Sequence, residues 1–212
     1  MPDQLNIAVF ASGKGSNFKS ILDAIKSGKI CNTQIVIVIS NNSHAGALEI
    51  ARENNIPALH MSRTQFSSDQ DFNSTLLAAL QKHNVNFIVL AGYMKKIDAK
   101  IVKIFRNRIV NIHPALLPKF GGAGMYGLHV HEAVIESGDK TSGASVHIVD
   151  DEFDHGPVVL QKSIQVEVTD TPETLAARIL KIEHEIYPEA IRLFAEGKIK
   201  ITNGNIMTTK DQ

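Results

Sequence analysis

The segment Asn111-Ile112-His113-Pro114 sets a carboxamide and an imidazole two residues apart. On an extended chain, side chains at i and i+2 point to one face, so Asn111 and His113 project together while Val110 and Ile112 pack the other way. Pro114 biases His113 toward extended backbone. Together the pair offers a donor for a developing oxyanion and a titratable proton carrier. The same residues also suit a plainer arrangement, a strand-end asparagine in a turn beside an ordinary histidine. A second constellation, Asp150-Asp151-Glu152-Phe153-Asp154-His155-Gly156, clusters carboxylates after an apolar run. Calcium is the rival chemistry there. An EF-hand loop needs Gly at its sixth position and Glu at its twelfth, whereas counting from Asp150 these are His155 and Gln161. His129 and His131 could supply two zinc ligands, but a third at useful spacing is missing, and both are read as the start of a helix. Glu183 and His184 fall in a helical pattern and are read as part of a solvated face. No metal site is expected. With no Gly-x-Ser-x-Gly elbow and nothing to activate Cys31, which is read as structural, covalent catalysis lacks a nucleophile and direct transfer is expected.

A third candidate, Ser12-Gly13-Lys14-Gly15-Ser16-Asn17, lies between an apolar run and a helical pattern, where backbone N–H groups and the helix dipole can hold an anion. It is not a Walker loop, since Gly15 follows Lys14 where Ser or Thr is required. It also fails as a dinucleotide fingerprint, since Phe18 takes the place of the third glycine. One phosphate suits it better than a pyrophosphate. The competing reading is a tight turn capped by Ser16 or Asn17.

These residues need a scaffold, and the hydrophobic pattern supplies one. Leu5 to Ala11 and Gln34 to Ser40 are short apolar runs of the kind found in parallel strands buried on both faces. Ala58 to Met61 and Asn86 to Ala91 are further strands. Helical spacing of Phe18, Ile21, Leu22 and Ile25 is closed by Gly28, and helices are predicted over Ala47 to Glu53 and Asp69 to Lys82. Alternating strands and helices imply a parallel sheet with right-handed crossovers. Beyond a strand at Ile109 to Ile112 comes a Pro/Gly-rich loop, Pro114 to Gly127, then a helix near Val130 to Glu136. Strands Ala144 to Val149 and Val158 to Val168 predict a mixed or antiparallel extension. Thr171 and Pro172 open a long helix with Leu175, Ile179, Ile182 and Ile186 on one face. Pro188 is expected to kink or interrupt it. Asn203 to Gln212 is read as a short hairpin and a frayed tail. The fold class is α/β, Rossmann-like, with a mostly parallel sheet and helices on both faces.

At 212 residues, 43% hydrophobic and 21% charged, the chain matches an ordinary globular domain able to bury its own core. The 22 Lys+Arg balance the 22 Asp+Glu, so the electrostatic footprint of a nucleic-acid or membrane-surface binder is missing. A lone Cys31 predicts a reducing compartment. The start Met1-Pro2-Asp3-Gln4 lacks the features of a secretory signal, so a cytoplasmic protein is expected. No apolar run approaches the roughly 20 residues that span a bilayer.

Taken together, Asn111-Ile112-His113-Pro114-Ala115-Leu116-Leu117-Pro118, Val146-His147 and Asp154-x-Gly156 resemble the formyltransferase family that uses 10-formyltetrahydrofolate. Ser12 to Asn17, Ala91-Gly92-Tyr93-Met94 and Glu183-His184-Glu185-Ile186-Tyr187-Pro188 further resemble the branch that formylates the amine of glycinamide ribonucleotide in purine synthesis. The resemblance covers almost the whole chain. It implies one formyltransferase domain over residues 1–212. Residues 1–108 would form a phosphate-binding half, 109–202 a catalytic and folate half, and 203–212 the hairpin and tail. It implies that Asn111, His113 and Asp154 are catalytic, that Gly15, Ser16 and Asn17 bind the ribonucleotide phosphate, and that Glu183 holds its ribose. Met94, Lys95, Lys96 and Ile97, with Asn111 and with Asp150, Asp151, Glu152, Phe153 and Asp154, would surround the folate, largely through main chain. The partners implied are these two small molecules, with no metal, acting on a monomer or homodimer.

Three departures from the family pattern stand out. The loop Gly121-Gly122-Ala123-Gly124-Met125-Tyr126-Gly127 is longer than usual and is similar to formyltetrahydrofolate deformylase, which passes formyl to water. Hydrolysis is therefore the competing expectation, although 212 residues leave no room for that enzyme's extra N-terminal domain. A transfer-RNA acceptor is disfavoured because no basic excess and no additional C-terminal domain are expected. A non-catalytic sensor of phosphate ligands would have no need of Asn111, His113 and Asp154. Asp69 stands where some members place an arginine near the folate's glutamate tail. His155 stands where a small residue is common.

Overall fold

The first strand, β1 (Leu5–Phe10), is buried almost throughout, with Ile7 to Ala11 fully excluded from solvent. This is the burial expected of a parallel strand covered on both faces. The computed structural model describes residues 4–202 and 205–208. The chain forms two compact units, Met1–Val110 and Asn111–Gln212.

In the first unit, β1 leads through the Gly13–Asn17 turn into α1 (Ser16–Lys26), which buries Phe18, Ile21 and Leu22 and stops at Ser27, with Gly28 left-handed at φ 75°. The cap of α1 differs from the expected Ser16 or Asn17. It is Gly15, at φ 79°, with no side-chain cap, and its carbonyl accepts the Lys19 N–H at 2.8 Å. The turn is made by the left-handed glycine itself, so Ser16 and Asn17 already lie within the helix. There follow β2 (Thr33–Ser40), α2 (Gly46–Glu53), β3 (Ala58–His60), a short 3-10 turn at Arg63–Gln65, and α3 (Asp69–Lys82). The Ser68 hydroxyl accepts the Asp71 N–H at 3.1 Å, which is why α3 begins where it does. Next come β4 (Phe87–Leu90), α4 (Ala99–Ile104) and β5 (Ile109–His113), the last running from the first unit into the second. The order in this unit is β3-β2-β1-β4-β5, and β1 is parallel to both β2 and β4. Chain order reverses beside β1, so the carboxyl ends of β1 and β4 frame the crevice at which α/β sheets bind ligands.

In the second unit, a glycine-rich loop leads to α5 (Leu128–Glu136), then β6 (Thr141–Ile148) and β7 (Val158–Gln165). The strands β6 and β7 are antiparallel, the expected departure from the parallel pattern, with a register shift between Val146 and His147. The unit continues with α6 (Pro172–Ala195) and the antiparallel pair β8 (Ile199–Thr202) and β9 (Asn205–Thr208). Thr171 and Pro172 open α6 as anticipated. Pro188 does not interrupt it. A mid-helix proline forfeits one backbone bond and costs about 3 kcal/mol. Here Ile186, Tyr187, Ala190 and Ile191 on either side are all buried, and α6 packs on β6, β7 and α5, which holds the helix together. The hairpin begins at Ile199, before the expected Asn203. Residues 203–204 and 209–212, and with them the expected frayed tail, lie outside the described residues. No helix among the described residues is long and apolar enough to cross a membrane.

Candidate functional site

In the first unit, a Cβ on Gly15 would lie 2.8 Å from Ala47 Cα, and its φ of 79° is left-handed. Only glycine fits this turn, and as a glycine it caps the N-terminus of α1 without a side-chain hydrogen bond. Ser16 is half-buried and Asn17 buried. Ser12, just before the turn, ties three strand ends together. Its N–H donates to Gly92 O at 3.0 Å, and its hydroxyl bonds Asn41 Oδ1 at 2.5 Å and accepts the Met94 N–H at 2.9 Å. The segment after β4 is thereby fixed at its start. At its end, Asp98 accepts the Lys100 N–H at 2.9 Å and the Asn73 amide at 2.8 Å. Between these anchors Met94, Lys95 and Lys96 are exposed and Ile97 is buried.

The second unit holds a ring of four polar side chains. Asn111 and His113 come from β5, His147 from β6 and Asp154 from the loop that follows. His113 is buried rather than the exposed strand-end residue its position suggests, with only 3% of its surface accessible. Its Nε2 lies 2.8 Å from the Phe120 carbonyl, which can only accept, so that nitrogen carries a proton. Its Nδ1 stands 3.5 Å from Asp154 Oδ2. Both ring nitrogens thus face acceptors. Burial holds the pKa of His113 below the ordinary histidine value, against the pull of the Asp154 charge and the Phe120 carbonyl.

Asp154 is the hub. Its Oδ1 lies 3.4 Å from both His147 Nε2 and Asn111 Nδ2, and its Oδ2 accepts the Gly122 N–H at 3.1 Å. Burial would raise the pKa of this carboxyl, but the contact with His147, the charge of His113 and the Gly122 N–H outweigh it and hold the value below the ordinary one. His147 donates from Nδ1 to the Ile148 carbonyl at 2.9 Å, and its Nε2 lies between Asn111 Nδ2, 3.1 Å away, and Asp154 Oδ1. The ring can present an amide donor and a carboxylate-backed imidazole toward one reacting oxygen.

Of the acidic run, only Asp154 enters the ring. Asp151, Glu152 and Phe153 are exposed, and Asp150 is half-buried. The motif's Gly156 is required by a close approach, since a Cβ there would meet the Ile148 carbonyl at 2.0 Å. Glu183 corrects the expectation of a solvated face. It is buried at 8% exposure because it shares the inward side of α6 with Ile179, Ile186 and Tyr187. His131 starts α5 as expected but is also buried. Its Nδ1 has no hydrogen-bond partner among the described residues, and burial, then the charge of His113, press its pKa down to about 4. Cys31 is exposed, its thiol 3.4 Å from the Gly28 carbonyl, and so is not a packed structural residue. Among the described residues, no group of three or more His, Cys, Asp or Glu side chains is arranged to hold a metal ion.

His147 and the main-chain groups of Phe120 and Gly122 escaped residue-level reasoning. The signal for His147 was available. Ser145 and His147 are polar residues two apart in the otherwise apolar run Ala144 to Val149, the same spacing that marks Asn111 and His113.

Residues 5–191 match the family described as formyl transferase. The chain is 43% identical over 200 residues to the chloroplastic phosphoribosylglycinamide formyltransferase of Arabidopsis thaliana, covering 94% of this chain and 68% of that one. A solved structure of glycinamide ribonucleotide transformylase 1 from Symbiobacterium toebii superposes with a TM-score of 0.91 at 40% identity, covering 98% and 95% of the two chains. A formyltetrahydrofolate deformylase from Pseudomonas syringae is similar in fold alone, with a TM-score of 0.87 at 21% identity over 98% of this chain and 67% of that one.

Proposed function

The chain belongs to the formyl transferase family, and we propose that it transfers the formyl group of 10-formyltetrahydrofolate to the amine of glycinamide ribonucleotide, as an enzyme of purine synthesis. The amine attacks the formyl carbon and gives a tetrahedral intermediate. Asn111 Nδ2 and the Nδ1–H of protonated His113 leave their long contacts with Asp154, 3.4 and 3.5 Å, to donate to its oxyanion, and the Asp154 charge favours that protonated form against the burial that lowers the His113 pKa. The amine's proton passes, with Asp154 assisting, toward the folate nitrogen as the carbon–nitrogen bond to folate breaks. The observation that carries this reading is the ring of buried His113 and His147 with half-buried Asn111 and Asp154, assembled from separate elements of the chain.

The remaining roles follow the same reading. Gly15, Ser16 and Asn17 hold the ribonucleotide phosphate, supported by the helix N-terminus that Gly15 caps without a side chain. Glu183 takes the ribose. Met94 to Ile97, Asn111 and Asp150 to Asp154 surround the folate, supported by the anchoring of the first of these segments through Ser12 and Asp98. The reaction needs no metal, and the chain acts in the cytoplasm as a monomer or homodimer on small molecules alone.

Hydrolysis is the second reading, favoured by one observation: the long loop after β5 supplies both the Phe120 carbonyl at His113 and the Gly122 N–H at Asp154. One assay separates the two. With 10-formyltetrahydrofolate alone, slow release of tetrahydrofolate is expected. Adding glycinamide ribonucleotide should give a large acceleration and one formylated ribonucleotide per folate consumed. Equal rates with accumulation of formate would establish the hydrolase instead. A transferase has a use for remote phosphate and ribose anchors, because they place the attacking nitrogen, whereas a hydrolase has none.

A further inference from the structure

The loop between β6 and β7 contains a charged contact that the proposed chemistry does not use. His155 Nδ1 lies 2.8 Å from Asp150 Oδ2, while Asp150 Oδ1 accepts the Glu152 N–H at 3.0 Å. One carboxylate at the end of β6 thus grips the backbone two residues ahead and a side chain five residues ahead. The two ends of the loop are secured independently. Its base is closed by the Ile148 N–H on the Pro157 carbonyl at 3.0 Å, and Asp154 is held by His113, His147 and Gly122. The stretch from Asp151 to Phe153 lies between, exposed, and the Asp150 carboxylate holds it at the Glu152 N–H.

We propose that His155 is a positioning residue whose bond to Asp150 fixes the main chain of residues 150–153 for the pteridine co-substrate. This rests on the formyl-transfer reading, which assigns that main chain to the folate. The pair lies at the surface, with side-chain exposures of 67% for His155 and 37% for Asp150, so the bond contributes little to global stability and acts on the loop. The charged groups facing His155 are Asp150 and Glu152. The hydrogen bond to Asp150, then its charge and that of Glu152, hold the imidazole pKa above its ordinary value. A raised histidine pKa means that the charged bond is complete below the unfolded value and is lost as pH climbs through the folded one. The grip on the loop therefore loosens toward alkaline pH.

The test combines kinetics with ring titration. His155→Ala should raise KM for 10-formyltetrahydrofolate about 3- to 5-fold, the upper part of the range of an exposed ion pair, leaving kcat and the ribonucleotide KM within about two-fold. The wild-type rise of folate KM with pH should vanish in His155→Ala. His155→Lys, which keeps a cation that does not titrate near neutrality, should keep a low and flat KM. By NMR the His155 ring should titrate above an ordinary histidine, and Asp150→Asn should bring it down. An unchanged folate KM in His155→Ala, a parallel loss of kcat and both KM values, or a His155 ring that titrates normally would each overturn the proposal. Absence of wild-type turnover would sink the formyl-transfer reading and this proposal with it, whereas wild-type turnover with an indifferent His155→Ala sinks only the latter.

Discussion

The turn at Gly15 is drawn from consecutive residues, Gly13 to Asn17, and presents main-chain donors. The ring around Asp154 takes its side chains from β5, β6 and the loop beyond, with sequence separations of 36 and 43 residues across its Asn111 contacts. The first depends on one backbone conformation that only glycine adopts there. The second depends on several partners that satisfy one another in a buried setting, where each lost partner leaves another polar group unpaired. A local device of this kind should fail at one ligand, and a distributed one should fail at chemistry and stability together.

The largest expected effect comes from His113→Ala. Loss of an oxyanion donor costs about 10² to 10³ in turnover. Because His113 is buried, the variant should also melt at lower temperature, since the Phe120 carbonyl and Asp154 lose a partner. Steady-state rates and thermal denaturation followed by circular dichroism check both parts, and near wild-type turnover would remove His113 from the mechanism. Asp154→Asn should lower turnover by about 10² while preserving most of the packing, the mark of a group that acts through His113.

At the other region, Ser16→Asp should weaken the ribonucleotide about 10- to 100-fold and leave folate affinity unchanged, because a carboxylate beside the α1 N-terminus competes with a phosphate. Calorimetry with each ligand decides it, and equal losses would make the turn purely structural.

A smaller effect concerns pH. Burial presses the His131 pKa down to about 4, so the folded state favours the neutral ring. The unfolded chain then binds more protons, and stability should fall by about 1 to 3 kcal/mol as pH drops from the unfolded value near 6.5 toward 4. His131→Phe should flatten that part of the denaturation profile. Asp154 acts in the same direction at lower pH, since its lowered pKa gives stability that is lost as pH falls through the folded value. The smallest effect should be none at all: exhaustive chelation is expected to leave turnover unchanged, and rescue of a lost activity by added zinc or calcium would contradict this.

The same contrast explains what could be read from the chain. The helix Asp69–Lys82 was legible to the residue because Ser68 caps it and its apolar positions repeat. The strand pattern at Leu5, Gln34 and Asn86 was legible because parallel strands buried on both faces leave apolar runs. The six-residue α4 left no periodicity to detect. Pro188 misled because propensity is local whereas Tyr187 and Ala190 are held by tertiary packing. In the site, the i,i+2 spacing exposed Asn111 and His113, and the Gly/Ser cluster after β1 marked the strand-to-helix turn at Gly15. The burial of His113 and Glu183 was not, since it arises from residues distant in sequence. The Gly122 N–H had no signature either, because every residue but proline carries the same donor.

Exposed Cys31 sets a limit on what oxidation can do to this chain. A single thiol has a valence of one, so a disulfide can join it to one other chain and no more. Under air, covalent growth must stop at a pair, and a non-reducing gel should show two bands and no ladder. The same arithmetic makes Cys31 a stoichiometric handle, on which a maleimide dye places one label per molecule, in a unit that contains neither His113 nor Asp154.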